Sequence, residues 1–200
     1  DTNNHRIRKI VIATGEVTTF AGSGGQGAAN GTGTAASFRY PSEITTDGAN
    51  LYVSDVNNHT IRKIVISTGV VSTLAGSAGS TGLTNGTGPA ARFQSPYGIT
   101  TDGTNLYVAD AGNHKIRKIV ISTGAVTTLA GTGSGVSTDG TGTSASFNGP
   151  IGISSDGTNL YVSEYIGNKI RKIALSGNVN AGVVLHNLDD EIDVTVNLAS

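Results

Sequence analysis

Short apolar runs rich in β-branched residues recur along the chain, and glycine-containing turn signals separate them. In the middle of the chain this pattern predicts four strands, which we call a, b, c and d. They cover about residues 98–101, 106–109, 115–122 and 125–129. Asp102-Gly103 and Thr123-Gly124 stand between strands and supply the positive φ of tight antiparallel turns. The pattern therefore predicts small antiparallel sheets, because no segment shows a sustained helical period.

The four-strand unit is repeated. Its first strand follows Phe38, Phe93 and Phe147, which are 55 and 54 residues apart. The strand c motif Ile-Arg-Lys-Ile starts at positions 7, 61, 116 and 170, so the sequence opens within a repeat. Strand c is apolar on both faces, which is typical of sheets that stack face to face. Repeated four-stranded units predict an all-β fold, a β-propeller in which each unit is one blade.

Two segments in register, Asp55-Val56-Asn57-Asn58-His59-Thr60-Ile61-Arg62-Lys63-Ile64 and residues 110–119, resemble NHL repeats. Asn3-Asn4-His5-Arg6-Ile7 is similar, and the resemblance covers about residues 1–177. The fourth copy departs from the pattern, with Glu164 in place of Asp and Asn168-Lys169 in place of Asn-His. The resemblance implies a propeller, most often six-bladed. Because the NHL family includes lyases, RNA- and protein-binding modules and bacterial surface proteins, it does not fix a function.

We expect about three and a half blades within residues 1–185: a partial blade at 1–22 and blades at about 38–76, 93–131 and 147–184. Each blade buries apolar faces on its neighbours. We therefore expect the ring to be completed by an upstream part of a longer protein or by a second chain. Residues 186–200 break the repeat and predict an acidic linker with one amphipathic strand, which would begin another domain or close the ring.

Composition narrows the class of protein. With 13 Lys and Arg against 14 Asp and Glu, the net charge of −1 argues against a strongly basic nucleic-acid binder. Most basic residues lie in the strand c motifs without interleaved aromatics, and we interpret them as side chains that extend from a near-outer strand and pair with Asp residues. The lack of Cys excludes a disulfide framework. Few charges and abundant Gly, Thr, Ser and Asn indicate a secreted or cell-surface protein of bacterial type.

Several polar and aromatic residues recur at fixed repeat positions, and they could serve chemistry or the fold. Histidines and carboxylates are metal ligands and acid–base groups. A residue that every blade repeats is better explained by what every blade needs, so we favour structural roles and expect no metal and no cofactor. In this interpretation the histidines fix the b–c turns, the carboxylates accept backbone N–H groups, and the phenylalanines are buried between blades. The residues concerned are His5, His59, His114, Asp55, Asp110, Glu164, Phe38, Phe93 and Phe147.

The connections from strand d to the next strand a are long, at about 22–40, 76–96 and 131–150. Loops of this length in a compact domain are usually functional or disordered. Strand parity places them at the same end of each blade as the b–c turns, and binding commonly uses loops on a rigid scaffold. The candidate binding residues at this end are Gln26, Asn57, Asn58, Thr84, Asn113, Ser134 and Tyr165.

Three functions remain open. The favoured hypothesis is a non-enzymatic extracellular module that binds a protein or glycan partner through these loops. The alternative is part of a propeller lyase or hydrolase with a metal in the central channel, although strand a offers mostly Ile, Thr and Ser there. The third is a structural role as a homo-oligomeric assembly unit.

Overall fold

The computed structural model describes residues 1–175, and within them it consists of β-strands joined by turns. The first blade is represented by β1 (Ile7–Ile10) and β2 (Val17–Ala21). A short strand β3 (Gly31–Thr32) precedes the second blade, and β8 (Gly86–Thr87) precedes the third. The second blade contains β4 (Pro41–Thr46), β5 (Asn50–Asp55), β6 (Thr60–Val65) and β7 (Val70–Ala75). The third contains β9 (Pro96–Thr101), β10 (Asn105–Asp110), β11 (Lys115–Val120) and β12 (Ala125–Ala130), and the fourth contains β13 (Pro150–Ser155), β14 (Asn159–Glu164) and β15 (Lys169–Ala174).

Short 3₁₀ turns complete the description. Three lie before strand c and three lie in the d–a connections. Their bounds are Thr2–Asn4, Val56–Asn58 and Ala111–Asn113 for the first kind, and Gly33–Ala35, Gly88–Ala90 and Gly142–Ser144 for the second. The predicted fourth strand of the last blade and the predicted linker and strand at 186–200 lie outside the described residues.

Each complete blade is an antiparallel meander in the order a, b, c, d, as the repeat predicts. The predicted all-β propeller architecture is confirmed. Strand c of the third blade ends at Val120 instead of the predicted 122, because the carbonyl of Val120 accepts the N–H of Gly124 at 2.8 Å and closes the turn. The registers pair Asp110 with both Lys115 and Pro96, so the b–c turn and the start of strand a share one end of the blade.

Within residues 1–175 three apolar clusters form the core, and each lies between consecutive blades. Phe38, Phe93 and Phe147 are all 0 % exposed. Phe93 packs with Tyr52 and Ile61 from the second blade and Leu106 from the third. Burial of one such aromatic side chain contributes about 1.5–3 kcal/mol. The phenylalanines at the end of each connection therefore join one blade to the next.

The innermost strands β4, β9 and β13 pack directly against one another. Gly98 in β9 permits this approach, because a Cβ at that position would lie 3.0 Å from the backbone nitrogen of Ile153 and against the carbonyl oxygen of Ile151. Glycine at position 98 therefore allows β9 to lie against the backbone of β13.

The d–a connections are ordered, and each covers the blade that follows it. Strand β3 pairs with β7, with Gly31 opposite Val71, and β8 pairs with β12 in the same way. These two-residue strands were not predicted. They occupy the outer edge of strand d, which would otherwise present unpaired backbone groups.

Truncation of Phe93 to alanine tests this inter-blade packing. We expect Phe93→Ala to lower the free energy of unfolding by about 3–5 kcal/mol, since a buried aromatic is lost without collapse of the site. Leu83→Ala, in the same connection and 60 % exposed, is the control and should change stability by less than about 0.5 kcal/mol. Urea unfolding followed by circular dichroism measures both, and equal effects would contradict the packing role.

Candidate functional site

The carboxylate that ends strand b is buried in an ion pair with an arginine of strand c. In the third blade Asp110 and Arg117 are both 0 % exposed, and Oδ2 lies 2.9 Å from Nη1. Asn113 donates to the same carboxylate oxygen at 2.8 Å, and the N–H of Gln94 donates to the other at 2.8 Å. Burial raises the pKa of Asp110, while these donors act to lower it. Both carboxylate oxygens of Asp110 are therefore bonded to groups of the fold, and neither faces solvent.

The same arginine holds the d–a connection. Arg117 donates through Nη1 to the carbonyl of Arg92 at 3.0 Å, and through Nη2 to the carbonyl of Thr84 at 3.2 Å and to Asn85 Oδ1 at 2.9 Å. Its guanidinium carbon lies 5.3 Å from the centre of the Phe93 ring, within cation–π range. We call this arrangement the arginine cluster. It recurs around Asp55 and Arg62, and around Glu164 and Arg171.

The interpretation of the strand c basic residues needs correction at one position in the second, third and fourth repeats, whereas the equivalent Arg8 of the first repeat is exposed as expected. Arg62, Arg117 and Arg171 are at most 1 % exposed, whereas we expected side chains that extend to the surface. The reason is that the connection folds over strand c and provides carbonyl acceptors. A buried guanidinium needs such acceptors, since an unpaired buried charge is strongly unfavourable.

The repeated histidines link neighbouring blades. The N–H of Tyr40 donates to Nδ1 of His5 at 3.2 Å, and the N–H of Ser95 donates to Nδ1 of His59 at 3.1 Å. His114 accepts in the same way from Gly149 at 3.2 Å. Burial, with a smaller effect of Arg39, lowers the pKa of His59, which keeps the imidazole neutral and Nδ1 free to accept.

The fourth repeat aligns differently from the sequence interpretation. Lys169 pairs with Glu164 as Lys115 pairs with Asp110, so Asn168 occupies the histidine position. Its φ of 52° matches the left-handed conformation of His114, and asparagine tolerates that conformation better than most residues.

The Asp-Gly turns lie at the opposite end of the blades and are closed by their own carboxylates. Asp102 Oδ1 accepts the N–H groups of Thr104 and Asn105 at 2.8 and 2.6 Å, and Oδ2 accepts the Tyr107 hydroxyl at 2.7 Å. Partial desolvation raises the pKa of Asp102, but the hydrogen bonds outweigh it and lower that pKa to about 2. Asp47 and Asp156 accept equivalent bonds.

We define the upper face as the end of the blades that carries the b–c turns and the d–a connections. Gln26, Thr84, Ser134 and Tyr165 are exposed there, and Asn57 is half-buried. Asn58 and Asn113 are only 6 % and 7 % exposed, because their amides donate to the carboxylates of the arginine clusters and to the carbonyls of Gly27 and Gly82. We therefore assign these two asparagines to the scaffold and remove them from the candidate contacts.

A cavity of about 260 Å³ opens on the upper face where the first three blades meet. We call it the tyrosine cleft, and it is lined by Thr2, Tyr40, Ser42, Val56, Asn57 and Tyr97. Tyr40 and Tyr97 are 36 % and 41 % exposed. Of the predicted binding residues only Asn57 is part of it. The tyrosines were missed because the sequence interpretation followed positions shared by the repeats, and both tyrosines depart from them.

A carboxylate also lies on the inner strands. Glu43 in β4 stands where the later repeats have Gly98 and Gly152, and its Oε2 accepts the N–H of Ile99 at 3.1 Å. Burial raises its pKa, and the bond from Ile99 lowers it less. Glu43 thus joins the inner strands of two blades by a side chain-to-backbone bond.

Among residues 1–175, no three His, Asp or Glu side chains come together in a group that could hold a metal ion. The same part of the chain contains no helix that is long and apolar enough to cross a membrane.

The chain is similar to several curated proteins. It is 34 % identical over 184 residues to the NHL repeat-containing protein 2 of Bos taurus, a match that covers 84 % of this chain and 25 % of that protein. It is 31 % identical over 185 residues to the chloroplastic protein SUPPRESSOR OF QUENCHING 1 of Arabidopsis thaliana, covering 86 % of this chain and 17 % of that protein. The chain therefore spans about a quarter or less of these relatives. No family model matches it.

Solved structures share the fold. A Bacteroides thetaiotaomicron protein of unknown function superposes with a TM-score of 0.71 at 29 % identity, covering 86 % of this chain and 42 % of that one. Virginiamycin B lyase from Staphylococcus aureus superposes with a TM-score of 0.57 at 20 % identity, covering 95 % and 51 %. At 20 % identity, the similarity to virginiamycin B lyase shows only a shared architecture.

Removal of the arginine from one cluster tests its structural role. We expect Arg117→Met to lower the free energy of unfolding by about 3–5 kcal/mol, because Asp110 is left buried without its cation. Lys118→Met, the next residue of the same strand and only half-buried, should cost less than about 1 kcal/mol. The double variant Asp110→Asn with Arg117→Met should recover part of the loss in urea unfolding. Equal costs for the Arg117 and Lys118 variants would refute the role.

The lowered pKa of Asp102 predicts acid sensitivity. Its pKa is about 2 in the folded chain and ~3.9 unfolded. The stabilisation that the ionised Asp102 carboxylate contributes to the folded state is therefore nearly complete above about pH 4, and it is lost as the pH falls through about 2. Wild type should exceed Asp102→Asn by up to about 1 kcal/mol at pH 6, after allowance for solvent screening. Urea titrations at several pH values should show this gap narrowing toward pH 2, and a pH-independent gap would count against the assignment.

Proposed function

We propose that this chain, which belongs to the NHL-repeat family of β-propellers, is a non-enzymatic binding module that presents its upper face to a protein or glycan partner. The described blades would act as one recognition unit within a larger protein. The proposal extends to location, which we take to be secreted or at the cell surface. The low charge content and the abundance of Gly, Thr, Ser and Asn support that location.

The upper face combines a rigid base with variable loops, which is the usual arrangement of binding surfaces. The arginine clusters fix the second half of each connection, residues 85–93 before the third blade, through groups such as Asn85 Oδ1 and the carbonyl of Arg92. The first halves of the connections differ between repeats and carry exposed side chains such as Gln26 and Ser134. A fixed base lowers the entropy lost on binding, while the variable halves provide selectivity.

The observation that carries the proposal is the tyrosine cleft. It is a concave site on the upper face, with two partly exposed aromatic side chains beside Asn57 and Ser42. Concave sites of this mixed composition are the usual form of small-ligand and side-chain pockets. The repeated carboxylates and histidines, which an enzyme would need, are instead engaged by the scaffold, and this favours binding over catalysis.

Surface substitutions on opposite ends of the blades test the proposal. We expect the chain to bind components of a printed array of glycans and secreted proteins. The triple variant Gln26→Ala, Ser134→Ala, Tyr165→Ala on the upper face should weaken that binding at least about tenfold, because each substitution removes an exposed contact group. The matched variant Thr104→Ala, Ser122→Ala, Thr158→Ala lies at the Asp-Gly turn end and should bind as wild type. Biolayer interferometry on the bound components measures both.

Two results would overturn the proposal. One is a loss of binding in the lower-end variant that equals the loss in the upper-face variant. The other is the lack of any bound component on the array, with the chain shown by circular dichroism to be folded.

A further inference from the structure

Some residues that line the tyrosine cleft differ from those at the same positions of the next blade. The cleft residues come from four recurring positions: one before strand a, one within strand a, and two in the b–c turn. One blade further along, the position of Asn57 is taken by Gly112, that of Tyr97 by Ile151, and that of Tyr40 by Ser95. The fold therefore accepts glycine, isoleucine and serine at these positions, so the tyrosines and the asparagine are not required by the blade.

Tyr40 is an unusual residue for its backbone conformation. Its φ is 57°, and the equivalent Ser95 and Gly149 have φ of 50° and 65°. The left-handed conformation recurs because the N–H at this position donates to the histidine of the preceding blade. A bulky side chain in that conformation is strained relative to glycine. The second blade thus carries an aromatic side chain where the scaffold alone favours glycine.

The chemistry of the lining selects the ligand. None of the six lining residues is charged, so the cleft offers no ion pair to a phosphate or a carboxylate. It offers two tyrosine side chains for apolar contact and the polar groups of Asn57, Ser42 and Thr2 for hydrogen bonds. A pyranose ring has this complementary character, since its C–H groups form apolar patches and its hydroxyls form a polar rim.

The size of the cleft is consistent with a single ring. Its volume of about 260 Å³ lies below the ~300–1,000 Å³ typical of pockets for drug-sized ligands. Because the cleft opens to solvent on the upper face, the ring could be the end of a longer glycan that continues over the neighbouring connections.

We propose that the tyrosine cleft binds one neutral saccharide ring, with Tyr40 and Tyr97 in apolar contact and Asn57 hydrogen-bonded to the hydroxyls. This inference rests on the proposed function and names the ligand class of the upper face. A single ring bound this way should have a dissociation constant on the order of 1 mM, as expected for about a dozen non-hydrogen atoms.

The experiment uses a panel of methyl glycosides of glucose, galactose, mannose and N-acetylglucosamine, with glucuronic acid as the charged counterpart. Protein-observed NMR follows the side-chain amide of Asn57 during titration. We expect at least one neutral glycoside to shift this signal, and glucuronic acid to bind at least about fivefold more weakly than the best of them.

Substitutions taken from the other repeats provide variants that should fold. Tyr97→Ile and Tyr40→Gly should each weaken the best glycoside at least about tenfold. Because Tyr40→Gly removes the strained side chain but also its ring contact with His5, at 4.9 Å between ring centres, circular dichroism is used to show that both variants are folded. Leu83→Ala is the matched control: Leu83 also lies in a d–a connection of the upper face, is 60 % exposed and does not line the cleft. It should leave glycoside binding unchanged.

The saccharide inference is overturned if no neutral glycoside shifts the Asn57 signal, if glucuronic acid binds as well as the neutral sugars, or if Tyr97→Ile and Tyr40→Gly bind like wild type. It is also overturned if Leu83→Ala weakens binding as much as they do. In each of these cases the proposed function still stands if array binding depends on Gln26, Ser134 and Tyr165, so the two failures can be told apart.

Discussion

The buried guanidinium of strand c is the constraint on which the rest of this structure depends. Arg117 lies in a β-strand that is covered on both faces, so its charge cannot reach water and must be neutralised inside the protein. Asp110 supplies the opposite charge from the neighbouring strand, and two carbonyls and Asn85 Oδ1 of the d–a connection accept from the terminal nitrogens of Arg117. A long glycine-rich segment that would otherwise be mobile is thereby fixed, and Phe93 at its end is positioned in the next inter-blade core.

Much of the architecture could be predicted because the same pattern of strands and turns recurs in each repeat. Turn signals at Asp102-Gly103 and Thr123-Gly124, together with the alternation of apolar runs, place the strands within a few residues. The sequence could not show that the arginine of the Arg-Lys pair is buried in the second, third and fourth repeats, because strand c is apolar on both faces and gives no parity signal. It also gave no indication of the two-residue strands β3 and β8, whose pairing depends on the path of the folded connection.

The candidate site could be predicted less well, for a reason that follows from the repeat. Residues that recur between blades mostly serve the scaffold, as the burial of Asn58 and Asn113 in the second and third blades shows. The cleft instead joins Tyr40 from one blade to Tyr97 from the next, and only folding brings these two repeat positions together. The available signal was the departure from the repeat at each position, and a comparison of the repeats position by position would have found it.

A residue that differs from its repeat equivalents can be locally unfavourable if the other blades keep the fold stable. In a stacked-blade fold each blade contributes its own cores and ion pairs, so one blade can tolerate a locally unfavourable residue without loss of the whole. Tyr40 is such a residue, since its left-handed backbone would suit the glycine found in the fourth blade. Glu43 is another, because it replaces a glycine on the innermost strands, and a bond from Ile99 compensates its partial burial. Both lie in the second blade, where Glu43 is bonded to Ile99 of the third blade and Tyr40 lines the cleft together with Tyr97 of the third. This blade pair therefore carries the features that the scaffold does not explain, and selection for a ligand would act there.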